Sequence, residues 1–125
     1  MAANSYKPLT LITAQSATST VTGSAVDLAP YAATGNINFK VVLDVGTVTG
    51  TNPTLDVKIQ ESDASGSGFT DITGAAFTQV TATGSGAVEL HTRTSKRYIK
   101  AIGTIAGTTP VFPFAVIALV LERNT

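Results

Sequence analysis

The stretch TLDVKIQESDASGSGFTDI, Thr54–Ile72, alternates apolar with polar residues and then gives way to small ones. Leu55, Val57 and Ile59 fall on one side of an extended chain and Asp56, Lys58 and Gln60 on the other, so this segment is written to bury one face and wet the other. Ser62–Gly68 holds too much serine and glycine for a strand interior, and an exposed loop is expected there before a second strand starts at Phe69. No catalytic group interrupts the pattern, which is that of a scaffold.

The same period recurs outward from this segment. Ile37–Val45 sets Ile37, Phe39, Val41, Leu43 and Val45 against Asn38, Lys40, Val42 and Asp44, the sign of a long half-buried strand. Gly46–Pro53 breaks it with glycines, an asparagine and a proline, implying a hairpin-like or corner-like connection. Shorter candidates are Leu9–Thr13, Thr18–Thr22, Ala25–Leu28, Phe69–Ile72, Phe77–Thr81 and Ala87–Thr92, each bounded by turn residues. Two strands close the chain, Arg97–Ile105 and Val111–Leu121. The second is apolar on both faces, so its second face needs a cover, from a loop of the same chain or from a neighbouring subunit. Pro113, near its start, suits an edge or bulge position.

Apolar residues never persist at i, i+3 and i+4, no internal repeat stands out, and roughly eight short strands are indicated. The expected fold is all-β: an antiparallel β-sandwich of jelly-roll or related Greek-key topology. Residues 1–8, ending in Tyr6, Lys7 and Pro8, read as a flexible N-terminal arm, and residues 9–125 as a single domain.

Composition narrows the function. With 43% hydrophobic and only 13% charged residues, against a usual charged share of about 25%, the chain has little charge to solvate a surface, a hint of assembly. Eight basic residues balance eight acidic ones, giving no long-range field to gather nucleic acid or an anionic membrane. Cysteine is absent, which excludes disulfides, thiolate zinc sites and cysteine nucleophiles. The opening MAANSYKP lacks a basic segment followed by an apolar one, so no secretory signal is expected. Val111–Leu121 is about half the length of a membrane-spanning helix and contains Pro113, so no membrane association is expected either.

Candidate chemistry is thin. His91 is the only histidine, and no G-x-S-x-G sequence marks a nucleophile for it, so a surface or half-buried histidine is the reading. Glu61, Asp63 and Asp71 flank the Ser/Gly loop but lack the dense spacing of a calcium loop and the aromatic platform of a glycosidase. Arg93, Lys96, Arg97 and Lys100 concentrate four of the eight basic residues, next to Tyr98. They suit a solvated strand start or docking to an acidic protein surface, while one neighbouring ring is too few for a nucleic-acid stacking platform. Gly66, Gly68, Gly84 and Gly86 open no helix and form no phosphate cradle.

The order TLDVKIQESDASGSGFTDI followed by KRYIKAIGTIAGTTPVFPFAVIALV resembles head decoration, or cement, proteins of tailed bacteriophages over about Asn36 to Leu121. The resemblance implies a non-enzymatic virion protein on the outer surface of the capsid, bridging major capsid protein subunits without a cofactor, as a homotrimer or, as the alternative, a homodimer. Gln60, Ser62, Asp63, Phe69 and Arg97-Tyr98-Ile99 also echo discoidin-like and carbohydrate-binding β-sandwiches, which would imply a glycan- or receptor-binding module of a phage tail or fibre. The expected interface comprises Tyr6, Lys7 and Pro8 as a docking arm, Arg93, Lys96, Arg97 and Lys100 as polar docking groups, and Phe112 and Phe114 on the two-sided last strand.

Overall fold

The computed structural model describes residues 4–29, 37–82 and 86–123. Its strands are β1 (Asn4–Ala17), β2 (Val21–Thr22), β3 (Val26–Asp27), β4 (Ile37–Val45), β5 (Thr49–Ser62), β6 (Thr70–Ala76), β7 (Gly86–Thr94) and β8 (Tyr98–Arg123), and no α-helix occurs among the described residues. The expected β4 agrees residue for residue, because its buried positions are the odd-numbered ones the alternation assigned.

The last two expected strands are one, the 26-residue β8, and it is the spine of the molecule. Its C-terminal half pairs with β4, Phe39 opposite Val120 through Val45 opposite Phe114. Its N-terminal half pairs with β5, Thr49 opposite Val111 through Ser62 opposite Tyr98. Because β4 and β5 follow the same partner in the same direction, the connection between them is a corner and not a hairpin. On the other side of β8, β1 lies along Phe112–Arg123, while β2 and β3 lie along Ile102–Gly103 and Tyr98–Ile99. With β7 on the outer side of β4 and β6 on the outer side of β5, the sheets run β1-β8-β4-β7 and β2/β3-β8-β5-β6. First strand beside last, and each inner pair nested within the next, is the arrangement of an antiparallel jelly-roll sandwich.

The segment expected as an arm is thus placed in the ladder: Tyr6, Lys7 and Pro8 stand opposite Leu121, Val120 and Leu119. Pro113 is not on an edge, since β8 is flanked by β1 and β4; it stands opposite Ser16 in an unslipped stretch of the β1 ladder, just beyond the Val45–Phe114 pair that ends the β4 ladder, and its carbonyl accepts the Gly46 N–H at 2.8 Å.

The corner is built by a short motif that occurs twice, Gly50-Thr51-Asn52-Pro53 on β5 and Gly107-Thr108-Thr109-Pro110 on β8. The backbone repeats too. Gly50 and Gly107 have φ of 118° and 119°, and Asn52 and Thr109 have φ of 48° and 46°. Register slips on both sides of Thr51, and the inward positions of β8 switch from Ile99, Ala101 and Gly103 to Phe112, Phe114 and Val116. Odd gives way to even, which is what an inserted bulge residue does.

The core fills the space between the sheets, with Phe112, Leu43, Val116 and Val120 from one sheet meeting Leu55, Val57, Ile59 and Ile99 from the other, each at most 1% exposed. Among the described residues the buried polar ones are Ser62 and Thr94. Ser62 Oγ donates to the Ser67 carbonyl at 2.5 Å and accepts from the Ala64 N–H, closing the neck of the Ser/Gly loop. Thr94 Oγ1 donates to Glu61 Oε1 at 2.5 Å and thereby ties β7 to β5 across the sandwich.

Candidate interaction surfaces

The basic cluster read from the sequence is dispersed by the fold. Arg97 lies across Asp27 in a two-bond pair, Nε and Nη2 each 2.9 Å from a carboxylate oxygen, with its guanidinium also 5.2 Å from the Tyr98 ring centroid. Lys96 Nζ is 3.1 Å from Asp63, and Lys100 Nζ sits 4.2 Å from the centre of the Phe69 ring. These three cations fasten the β3 segment and the Ser/Gly loop to the start of β8. Arg93 is elsewhere, exposed on β7 opposite Asn38.

The Arg97 hydrogen bonds, helped by the Ala29 N–H, lower the Asp27 pKa from 3.8 to about 2. A carboxyl depressed on folding stabilises the fold fully above its unfolded value and loses that contribution as pH falls through its folded value. Thermal unfolding measured across this acid window is expected to show a smaller decline in Asp27→Asn than in the parent; parallel curves would assign the decline to other groups. Asp71 is lowered as well, by hydrogen bonds from Gln60 and then Lys58.

Phe112 and Phe114, expected at an interface, are 0% and 3% exposed and belong to the core. The face of β8 that does look outward carries Pro113, Ala115, Ile117 and Leu119, all half-buried. Ile117 stands between Thr10 of β1 and Val42 of β4, and Leu119 between exposed Pro8 and Lys40. The result is an apolar strip of Pro8, Val42, Ala115, Ile117 and Leu119 along the outer surface of the first sheet, bordered by the Lys40–Glu89 pair at 3.3 Å. No described strand packs over it. The cover that the two-sided strand called for is supplied by neighbouring side chains only in part.

A groove of about 640 Å³ opens beside β7, lined by Phe39, Ile72 and the polar groups of Asn38, Glu61, Thr92 and Thr94, with His91 and Arg93 also contributing. His91 is exposed and faces Lys40 across the ladder. Among the described residues no group of three or more His, Asp or Glu could hold a metal ion. Sequence reading missed both the groove and the strip, since each is assembled from strands far apart in the chain; the one local signal was the apolar second face of Val111–Leu121.

No protein-family model matches the sequence, and no match was found among the curated proteins. The fold matches solved structures. One, described as the crystal structure of SPBc2 prophage-derived protein YomS, superposes over 96% of both chains with a TM-score of 0.55 at 12% identity. Another, described as a structure of infectious bursal disease virus Gx strain, superposes over 95% of this chain and 32% of that one, with a TM-score of 0.57 at 11% identity. What the chain shares with both is its fold.

Proposed function

We propose that the chain is a non-enzymatic structural protein of a phage virion that decorates and stabilises the capsid, lying on its outer surface across neighbouring major capsid subunits and associating with copies of itself. The outer apolar strip of Pro8, Val42, Ala115, Ile117 and Leu119 carries this reading, because it gives a low-charge chain an outward-facing, partly exposed hydrophobic surface with a polar border. The fold's likeness to a prophage-derived protein over nearly the whole of both chains supports it. Each bound copy would add its association free energy to what capsid rupture must overcome, so stabilisation grows with occupancy. The role requires no cofactor, and the balanced charge favours a protein partner over nucleic acid.

Incubation with empty capsids of the same source followed by sedimentation tests the reading. The parent is expected in the capsid pellet, and Ile117→Glu is expected to weaken binding at least about tenfold by placing a charge in the strip. Failure of the parent to pellet, or full binding by the variant, overturns it. A glycan- or receptor-binding module is the second reading, favoured by the polar groove beside β7. Retention on a glycan array without capsid binding would select it.

A further inference from the structure

The edges of the two sheets are unequal. β2 and β3 are two residues each, β1 carries exposed Pro8 and two register slips, and β6 has a slip and a glycine at φ 81°. Short strands, prolines and bulges are the usual ways of blunting an edge against further pairing. β7 has none of them: it pairs with β4 through nine consecutive positions, Thr94 opposite Ile37 to Gly86 opposite Val45, without a slip. No described strand pairs with its other side, and it bears Val88, 38% exposed, the one exposed large hydrophobic side chain among the described residues.

We propose that the free edge of β7 pairs antiparallel with β7 of a second copy, joining two β1-β8-β4-β7 sheets into one continuous sheet about a two-fold axis. Such an edge pairing is isologous and closes at two copies. For the outer face of one copy to continue as the outer face of the other, the axis must pass through a residue, because side chains alternate and a shift of one position would set outer against inner. An axis at Glu89 opposes Glu89 to its own copy and is excluded by like charge. An axis at Leu90 sets Glu89 against His91. An axis at His91 sets Glu89 directly against Arg93 twice, with Leu90 against Thr92 and Val88 against Thr94, and gives the best complementarity of charge. Arg93 is exposed and Glu89 lies at the edge beside Lys40, so both can reach across. The pairing also selects the dimer from the closed oligomers expected of a decorating chain. It deepens the self-association in the proposed function without depending on the capsid contact.

The test uses the full chain alone, without capsids. Sedimentation velocity at micromolar concentration should give twice the 12.8 kDa chain mass. Arg93→Glu should shift it to the monomer, with dimer dissociation at least about tenfold easier, and Glu89→Arg combined with Arg93→Glu should restore the dimer. Because the chain has no cysteine, His91→Cys should oxidise to a disulfide-linked dimer, whereas Ser65→Cys on the exposed loop should not. A monomeric parent, an oligomer insensitive to the charge exchange, or equal cross-linking at both cysteines overturns the inference. Capsid co-sedimentation of Arg93→Glu separates the two proposals, since it reads the outer strip and not the edge.

Discussion

Gly107→Ala is expected to lose more than about 3 kcal/mol of stability, enough to unfold much of a small domain's population at moderate temperature. Two costs combine. At φ 119° an L side chain meets the backbone of its own residue, which costs on the order of 1–3 kcal/mol. A Cβ there would also lie 2.7 Å from the Asn52 carbonyl oxygen and 2.9 Å from Pro53 Cα, both backbone atoms of the facing strand that cannot swing aside. Gly50 is bound by the same geometry, 2.7 Å from the Thr109 carbonyl and 2.8 Å from Pro110 Cα, so the corner is closed by two interlocked glycines. The converse change gives a control in the opposite direction. Thr109 is β-branched at φ 46°, where its counterpart on β5 is Asn52, and Thr109→Asn is expected to add about 1 kcal/mol. Urea unfolding of the three proteins, followed by far-ultraviolet circular dichroism, checks both signs. A Gly107→Ala protein as stable as the parent would mean that the corner does not hold these conformations in solution.

The corner also marks where local sequence stops determining architecture. β4 was legible to the residue because five apolar side chains at odd positions leave only one face to bury. Gly-Thr-Thr-Pro, by contrast, has the same local chemistry whether the chain reverses or only bends, and what decides is the facing Gly-Thr-Asn-Pro some 57 positions away. The repeat was present in the sequence, but too short to stand out from other Gly/Thr/Pro turns. Arg93, Lys96, Arg97 and Lys100 are near neighbours in sequence, yet Asp27, Asp63 and Phe69, which occupy three of them, lie elsewhere in the chain. Clustering in sequence is therefore a poor guide to a charged patch when each cation has a different distant partner. The free edge of β7 is harder still, because a strand's own residues do not say whether one neighbour or two will pair with it.

The last strand shows the same limit in energetic form. Apolar on both faces, Val111–Leu121 has no parity from which to choose its inner side; Gly103 makes the choice, at a position where a side chain would meet the tip of Phe114 at 2.9 Å and Leu55 at 3.3 Å. The N-terminal half of β8 leaves a notch, and the C-terminal half of the same strand fills it after the corner turns. Phe114→Ala should therefore cost about 3–5 kcal/mol, the range for emptying a buried aromatic site, because ladders on both sides of β8 keep the sheets from closing on the cavity. Gly103→Ala should cost about 1–3 kcal/mol for the opposite reason, overfilling. If notch and ring are one fitted pair, the two changes cannot add. Gly103→Ala in the Phe114→Leu background should cost less than in the parent, since the shorter side chain vacates the space the new methyl needs, with a coupling of about 1 kcal/mol in a double-mutant cycle. Chemical unfolding of the four proteins supplies that cycle. Strict additivity would show that Phe114 does not seat on Gly103, and with it that the two halves of β8 do not face one another across the core.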